Sequence, residues 1–208
     1  MKLSILQKIR VGQTRLLEWL VRVNPGLGLG RRAELFVSFF DTEIPKNALI
    51  LDVGGRWGFY AGPLIKRGHF PVILDVVRPG LQHAPVVIYD GARMPFPDQS
   101  FDVSLLVTVL HHIDGIDQVF QEVRRVTRSK VIVVEDLYHH CCGRFWTILR
   151  DRFFNCEWFG HPCNFKTRVE WQAYFEKQGF QVVSIQEVVT KLCGLDILNG
   201  IFILERKT

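Results

Sequence analysis

From residue 48 onward, short runs of Val, Ile and Leu alternate with stretches whose apolar positions recur every three or four residues. The runs at 48–53, 71–75, 85–89, 101–107 and 130–135 predict strands. They are apolar almost throughout rather than at every second position, which suits strands covered on both faces of a parallel sheet. Helical spacing predicts helices over 57–67, 115–127 and 168–178, and two last strands over 181–187 and 200–205. Strand and helix in alternation predict an α/β fold. The expected architecture is a Rossmann-like, doubly wound, mostly parallel seven-stranded sheet with helices on both faces.

Two segments stand outside this alternation. Residues 2–23 predict a helix with Leu6, Ile9, Leu16, Leu17 and Leu20 near one face, stopped by Asn24-Pro25. Gly26, Gly28 and Gly30 then predict a hinge, and 31–40 a second short helix. Residues 1–45 are therefore expected to form an N-terminal helical cap. Residues 137–167, dense in aromatics, His and Cys, are expected to be an insertion on the substrate side. Both belong to one domain spanning 1–208.

Composition narrows the class without changing this picture. A chain of 208 residues with 48% hydrophobic and 23% charged residues has the make-up of a folded globular domain. Its longest apolar stretch, 103–110, is broken by Ser104 and Thr108 and is far short of the roughly 20 residues a membrane-spanning helix requires. Gln7, Lys8 and Arg10 interrupt any apolar signal core, so a cytoplasmic location is expected. Five cysteines, four of them at 141, 142, 156 and 163, do not form the even framework of a secreted disulfide scaffold. The net charge of +5 permits an anionic partner without demanding one. No nucleic-acid-binding module accompanies it, so a small-molecule partner is expected and nucleic acid is not. The basic N-terminal helix has three readings: a lid, a dimerisation surface or a peripheral membrane contact. Oligomeric state stays open.

Doubly wound sheets bind ligands beyond the carboxyl ends of their strands. The first strand here runs into Asp52-Val53-Gly54-Gly55-Arg56-Trp57-Gly58, glycines that allow the backbone to approach a ligand closely. The second ends in Asp75, placed to accept hydrogen bonds from a ribose diol. The third ends in Asp90-Gly91, and the fourth runs into His111-His112. A dinucleotide fingerprint counted from Gly54 would need glycine at 56 and 59, where Arg56 and Phe59 stand.

In order and spacing, LDVGGRWG, Asp75 and DGARMPFPDQSFDVSLLVTVLHHI resemble the class I S-adenosylmethionine-dependent methyltransferases, particularly the type 11 group, over residues 48–136. The resemblance implies S-adenosylmethionine as cofactor. It implies that Asp52, Gly54, Gly55 and Gly58 line the methionine end, that Asp75 holds the ribose, and that Asp90 with Gly91 reads the adenine. It also favours the lid reading of the N-terminal helix. One position departs from the family loop: its middle glycine is Arg56. Either the Arg56 guanidinium grips the cofactor carboxylate, or Arg56 faces solvent while Trp57 packs the helix start, or the site no longer turns over. The last reading implies a non-catalytic protein that keeps the fold and binds the cofactor.

Methyl transfer to oxygen or nitrogen often needs a base. His112, just past the fourth strand, is the first candidate, and His161 in the insertion a second acceptor-side group. The alternative is that His111 and His112 only anchor their loop. The Asn/Asp-Pro-Pro-Tyr/Phe motif of exocyclic base methylation is absent, which points to a small, aromatic or lipophilic acceptor. Tyr138, Phe145, Trp146, Phe153, Phe154, Trp158 and Phe159 are expected to shape its pocket. His139, His140, Cys141, Cys142, Cys156, His161 and Cys163 lack paired metal-ligand spacing, so no metal is expected.

Overall fold

The computed structural model describes residues 28–78, 84–155, 162–192 and 194–207. Strands β1 (Leu49–Val53), β2 (Phe70–Asp75), β3 (Val86–Ile88), β4 (Phe101–Val107), β5 (Thr127–Asp136), β6 (Phe180–Leu192) and β7 (Leu195–Arg206) form one sheet. Their spatial order is β3-β2-β1-β4-β5-β7-β6. The first five run parallel; β7 lies antiparallel between β5 and β6. After β3 the chain returns across the sheet to place β4 beside β1. That reversal opens a crevice at the carboxyl ends of β1 and β4, where such sheets bind ligands.

The strand side chains divide between two faces, as the pleat requires. Leu51, Val53, Leu106, Val131 and Val133 point to one face. There they meet Ile116, Val119, Phe120, Val123 and Val126 of α3 (Ile116–Val126) and Trp171 and Phe175 of α5 (Arg168–Lys177). Ile50, Val103, Leu105, Val107, Ile132 and Val134 point to the other face. They are covered by α1 (Leu29–Phe40) and Leu64 of α2 (Ala61–Lys66). Both cores are deeply buried, which is why the early strands are apolar on both faces.

Three boundaries differ from the sequence expectation. Helix α2 begins at Ala61 rather than 57, because residues 56–60 form turns that close the loop after β1. β6 and β7 extend well beyond 181–187 and 200–205, since each finds an antiparallel partner along its whole length. Gly30 lies inside α1, with Gly28 as its N-cap at φ 78°. Within the N-terminal cap, α1 buries Ala33, Phe36, Val37 and Phe40 against the sheet, while the 2–23 helix and Gly26 lie outside the described residues. The insertion contains a helix the sequence did not foresee, α4 (Cys141–Asn155). Among the described residues, no helix is long and apolar enough to cross a membrane.

Candidate functional site

The loop after β1 is held in place by the strands on either side. Gly54 donates its N–H to the Leu74 carbonyl at 2.7 Å and has φ 70°, a left-handed conformation glycine adopts without strain. A Cβ there would also stand 2.3 Å from Val109 Cγ2, so the loop rests directly on Val109, two residues beyond the end of β4. Beside it, a Cβ on Gly55 would fall 2.3 Å from Asp52 Oδ2. The glycines thus let the backbone lie flat over a carboxyl group and a valine.

Arg56 occupies the position where the loop it resembles has glycine, and it keeps a left-handed conformation, with φ 42°. A non-glycine residue in this region carries steric strain. Two contacts oppose it. The Arg56 N–H donates to Asp75 Oδ2 at 3.0 Å, and its guanidinium carbon lies 4.5 Å from the centre of the Trp57 ring. Trp57 is itself buried, as one reading of the sequence expects.

Asp52 and Asp75 sit side by side at the carboxyl ends of β1 and β2. Asp52 is 1% exposed, and its Oδ2 finds no hydrogen-bond partner among the described residues. Burial, with the neighbouring Asp75 charge adding to it, pushes the Asp52 carboxyl up to about 7. Asp75 differs. Its Oδ2 accepts from Arg56 and its Oδ1 accepts from the Val77 N–H at 3.0 Å. Each carboxylate oxygen has two lone pairs, so both keep one for a further donor. Asp90 lies exposed beyond β3, where its Oδ1 accepts from the Ala92 N–H at 2.9 Å, and Gly91 follows with φ 85°. These residues share one edge of the sheet.

The other half of the edge holds a group that sequence reasoning only partly found. The chain leaves β4 in a short 3-10 turn, Leu110–His112, which places His111 and His112 side by side with ring centres 4.2 Å apart. His111 is 1% exposed, and its Nδ1 lies 2.5 Å from Glu135 Oε2. Glu135, near the end of β5, also accepts the Val109 and Leu110 N–H groups at 3.0 and 2.7 Å through Oε1. On the far side, His111 Nε2 lies 3.4 Å from Asp151 Oδ1, and His112 Nε2 lies 3.9 Å from the same oxygen. Phe165 stacks on the His111 ring at 4.4 Å. Burial alone would lower the imidazole's pKa. The two carboxylates outweigh it and raise His111 well above its usual range.

Helix α4 supplies Asp151 from its inner face, where Thr147 one turn earlier is also buried. Arg150 of α4 and Arg32 of α1 both reach Asp136, at 2.5 and 3.4 Å, and Asn199 donates to it at 2.6 Å. The helix is thereby fixed across the carboxyl end of β5. Its aromatics take a different place from the one expected: Phe145, Trp146 and Phe153 are 61–65% exposed, because the inner face carries polar residues. Trp158, Phe159, Cys156 and the candidate His161 lie outside the described residues. His139, His140, Cys141 and Cys142 are exposed on the surface.

Residues 51–134 match the methyltransferase-domain family. The chain has the class I S-adenosylmethionine-dependent methyltransferase fold. Among solved structures, this methyltransferase fold is similar to the 1,6-didemethyltoxoflavin-N1-methyltransferase of Burkholderia thailandensis, solved with 1,6-didemethyltoxoflavin and S-adenosylhomocysteine bound. The TM-score is 0.70 at 14% identity, covering 100% of this chain and 93% of that one. It is also similar to an S-adenosylmethionine-dependent methyltransferase of Methanosarcina mazei, with TM-score 0.65, 16% identity and coverage of 81% and 97%. A third relative by fold is the [4+2]-cyclase SpnF, with TM-score 0.64, 13% identity and coverage of 86% and 81%. No curated protein matches the chain in sequence.

Proposed function

We propose that the chain is an S-adenosylmethionine-dependent methyltransferase acting on a small, aromatic or lipophilic molecule. The observation that carries this is the loop from Asp52 to Gly58. It is a backbone cradle at the reversal point of the sheet, with a buried carboxyl oxygen beneath it that lacks a partner among the described residues. A cofactor with donor groups fits such a cradle. Asp52, Gly54, Gly55 and Gly58 would line the methionine end, Asp75 would offer its two remaining lone pairs to the ribose, and Asp90 with Gly91 would meet the adenine. When bound, the cofactor supplies an electrophilic methyl group on a sulfonium.

This chain's own residues then orient the acceptor and exclude water. The cluster of His111, His112 and Asp151 stands across the edge from the loop. It is the part of the site suited to drawing a proton from the acceptor, with His112, the less buried imidazole, as the base candidate. Arg56 stacks on Trp57, and its guanidinium would be the group to grip the cofactor carboxylate.

A second reading is a protein that keeps the fold without transferring methyl groups. It is favoured by the strained Arg56 in a glycine position and by the likeness in fold to a cyclase. Calorimetric titration with S-adenosylmethionine, S-adenosylhomocysteine and NAD addresses the cofactor. Saturable binding of the first two and none of NAD is expected, and NAD binding alone would overturn the reading. Incubation of a metabolite extract with methyl-labelled cofactor separates the two readings: label in an extract component supports transfer, and binding without transfer to any fraction supports the second.

A further inference from the structure

Glu135, His111, Asp151 and His112 form a chain of groups whose order suggests an additional occupant. Glu135 faces Nδ1 of His111 and Asp151 faces Nε2, so a cation that displaces the Nε2 proton leaves the remaining ring proton at Nδ1 on Glu135 and an Nε2 lone pair directed at the ion. A second imidazole nitrogen, His112 Nε2, faces the same carboxylate oxygen. One ligand atom from each of His111, His112 and Asp151 lies within 4.8 Å of the other two, and the Nε2 atoms of His111 and His112 lie 3.4 and 3.9 Å from Asp151 Oδ1. A proton on His111 satisfies one of these pairs. A cation at the centre can be held by all three at once.

We propose that His111 Nε2, His112 Nε2 and Asp151 Oδ1 bind a divalent transition-metal ion of the zinc class, with Glu135 orienting His111 from behind. Two imidazoles and one carboxylate are the donor set of open zinc and iron sites, whereas magnesium and calcium prefer all-oxygen surroundings. The spacing fits. Ligand atoms at about 2.1 Å from a tetrahedral ion stand about 3.4 Å apart. His111 Nε2 and Asp151 Oδ1 are already at 3.4 Å, and the half-buried His112, at 3.9 Å, would have to move in by about 0.5 Å. A carboxylate behind a metal-ligating histidine is the usual outer support of such sites, and Glu135 is itself held by two backbone N–H groups.

The set is distinct from the His and Cys residues that the sequence offered around 139–142, which are exposed. Two of the ligands come from the turn after β4 and one from α4, so the ion would also tie α4 to the sheet. Under the methyltransferase reading the ion would replace His112 as the group that draws the acceptor's proton, through water held at its fourth position, and that part of the inference rests on that reading. The site itself does not.

The test is titration of chelator-dialysed protein with Co²⁺, followed by visible absorption, with Zn²⁺ as competitor. One equivalent of Co²⁺ with the intense bands of a low-coordinate ion, displaced by Zn²⁺, is expected. Asp151→Asn and His112→Ala should each weaken binding about 100-fold or more, and Glu135→Gln about 10- to 100-fold. His139→Ala/His140→Ala should leave it unchanged. Unaltered affinity in His112→Ala, or loss of binding in the His139/His140 variant, would overturn the proposal. Circular dichroism checks that each variant is folded; if Asp151→Asn is not, the less buried His112 position decides. S-adenosylhomocysteine binding is measured on the same samples. A chain that binds the ion but not this ligand keeps the metal site and loses the methyltransferase reading, and the converse removes only the metal.

Discussion

Replacing Asp52 by Asn tests the electrostatics of the cofactor loop directly. The side chain is buried, its Oδ2 has no partner among the described residues, and its carboxyl is pushed up to about 7 by burial and by Asp75. In the unfolded chain an aspartate titrates near 3.9. Between these values the folded protein holds a proton that the unfolded chain has lost, so stability must fall as pH rises through that window. Each unit is worth about 1.4 kcal/mol, and the full shift of about three units costs about 4 kcal/mol once the pH is above 7. About 3 kcal/mol of it accumulates between roughly pH 5 and pH 8. Asparagine has nearly the same shape and does not titrate. Asp52→Asn should therefore gain stability relative to the parent by about 3 kcal/mol on going from about pH 5 to about pH 8. Urea unfolding of both proteins without ligand, at several pH values across that range, measures the difference. A gap that stays constant to within about 1 kcal/mol would refute the raised carboxyl, because linkage leaves no other sign for it.

Two further variants probe local geometry. Arg56→Gly relieves the φ 42° strain but loses the stack on Trp57, effects of about 1 kcal/mol each, so its unfolding midpoint should stay close to the parent's. Arg56→Ala keeps the strain and loses the stack, and should be about 1 kcal/mol less stable; an alanine variant as stable as the glycine one would show that the conformation carries no cost. Thr167 caps α5 by accepting from the Glu170 N–H while Glu170 accepts from the Thr167 N–H. Thr167→Ala should cost about 1 kcal/mol in denaturant unfolding without changing S-adenosylhomocysteine affinity, and a stability loss below about 0.3 kcal/mol would contradict the cap.

Much of this protein was legible in its residues because the information is local. The Val, Ile and Leu density at 48–53, 101–107 and 130–135 reports burial on both faces, and the structure places these runs at the centre of the sheet. Gly54, Asp75 and Asp90 end successive strands, so chain order alone aligns them along one edge. The single clear departure, Arg56, was also visible, although its left-handed backbone and its place over Trp57 were not. Long-range contacts account for the rest. β6 and β7 are long because they pair with each other, which no single strand pattern encodes. The polar inner face of α4 has a long-range reason: Asp151 meets His111 and Arg150 meets Asp136. Glu135 could have been singled out by the same strand-end rule as Asp75. Asp151 offered no such signal, for it is one polar residue among exposed aromatics. Local pattern determined the strands, the glycine loop and the acidic strand ends. Only the packing of α4 across β4 and β5 decided that His111, His112, Glu135 and Asp151 would share one buried point, because residues 16 to 40 positions apart along the chain meet there through the fold alone.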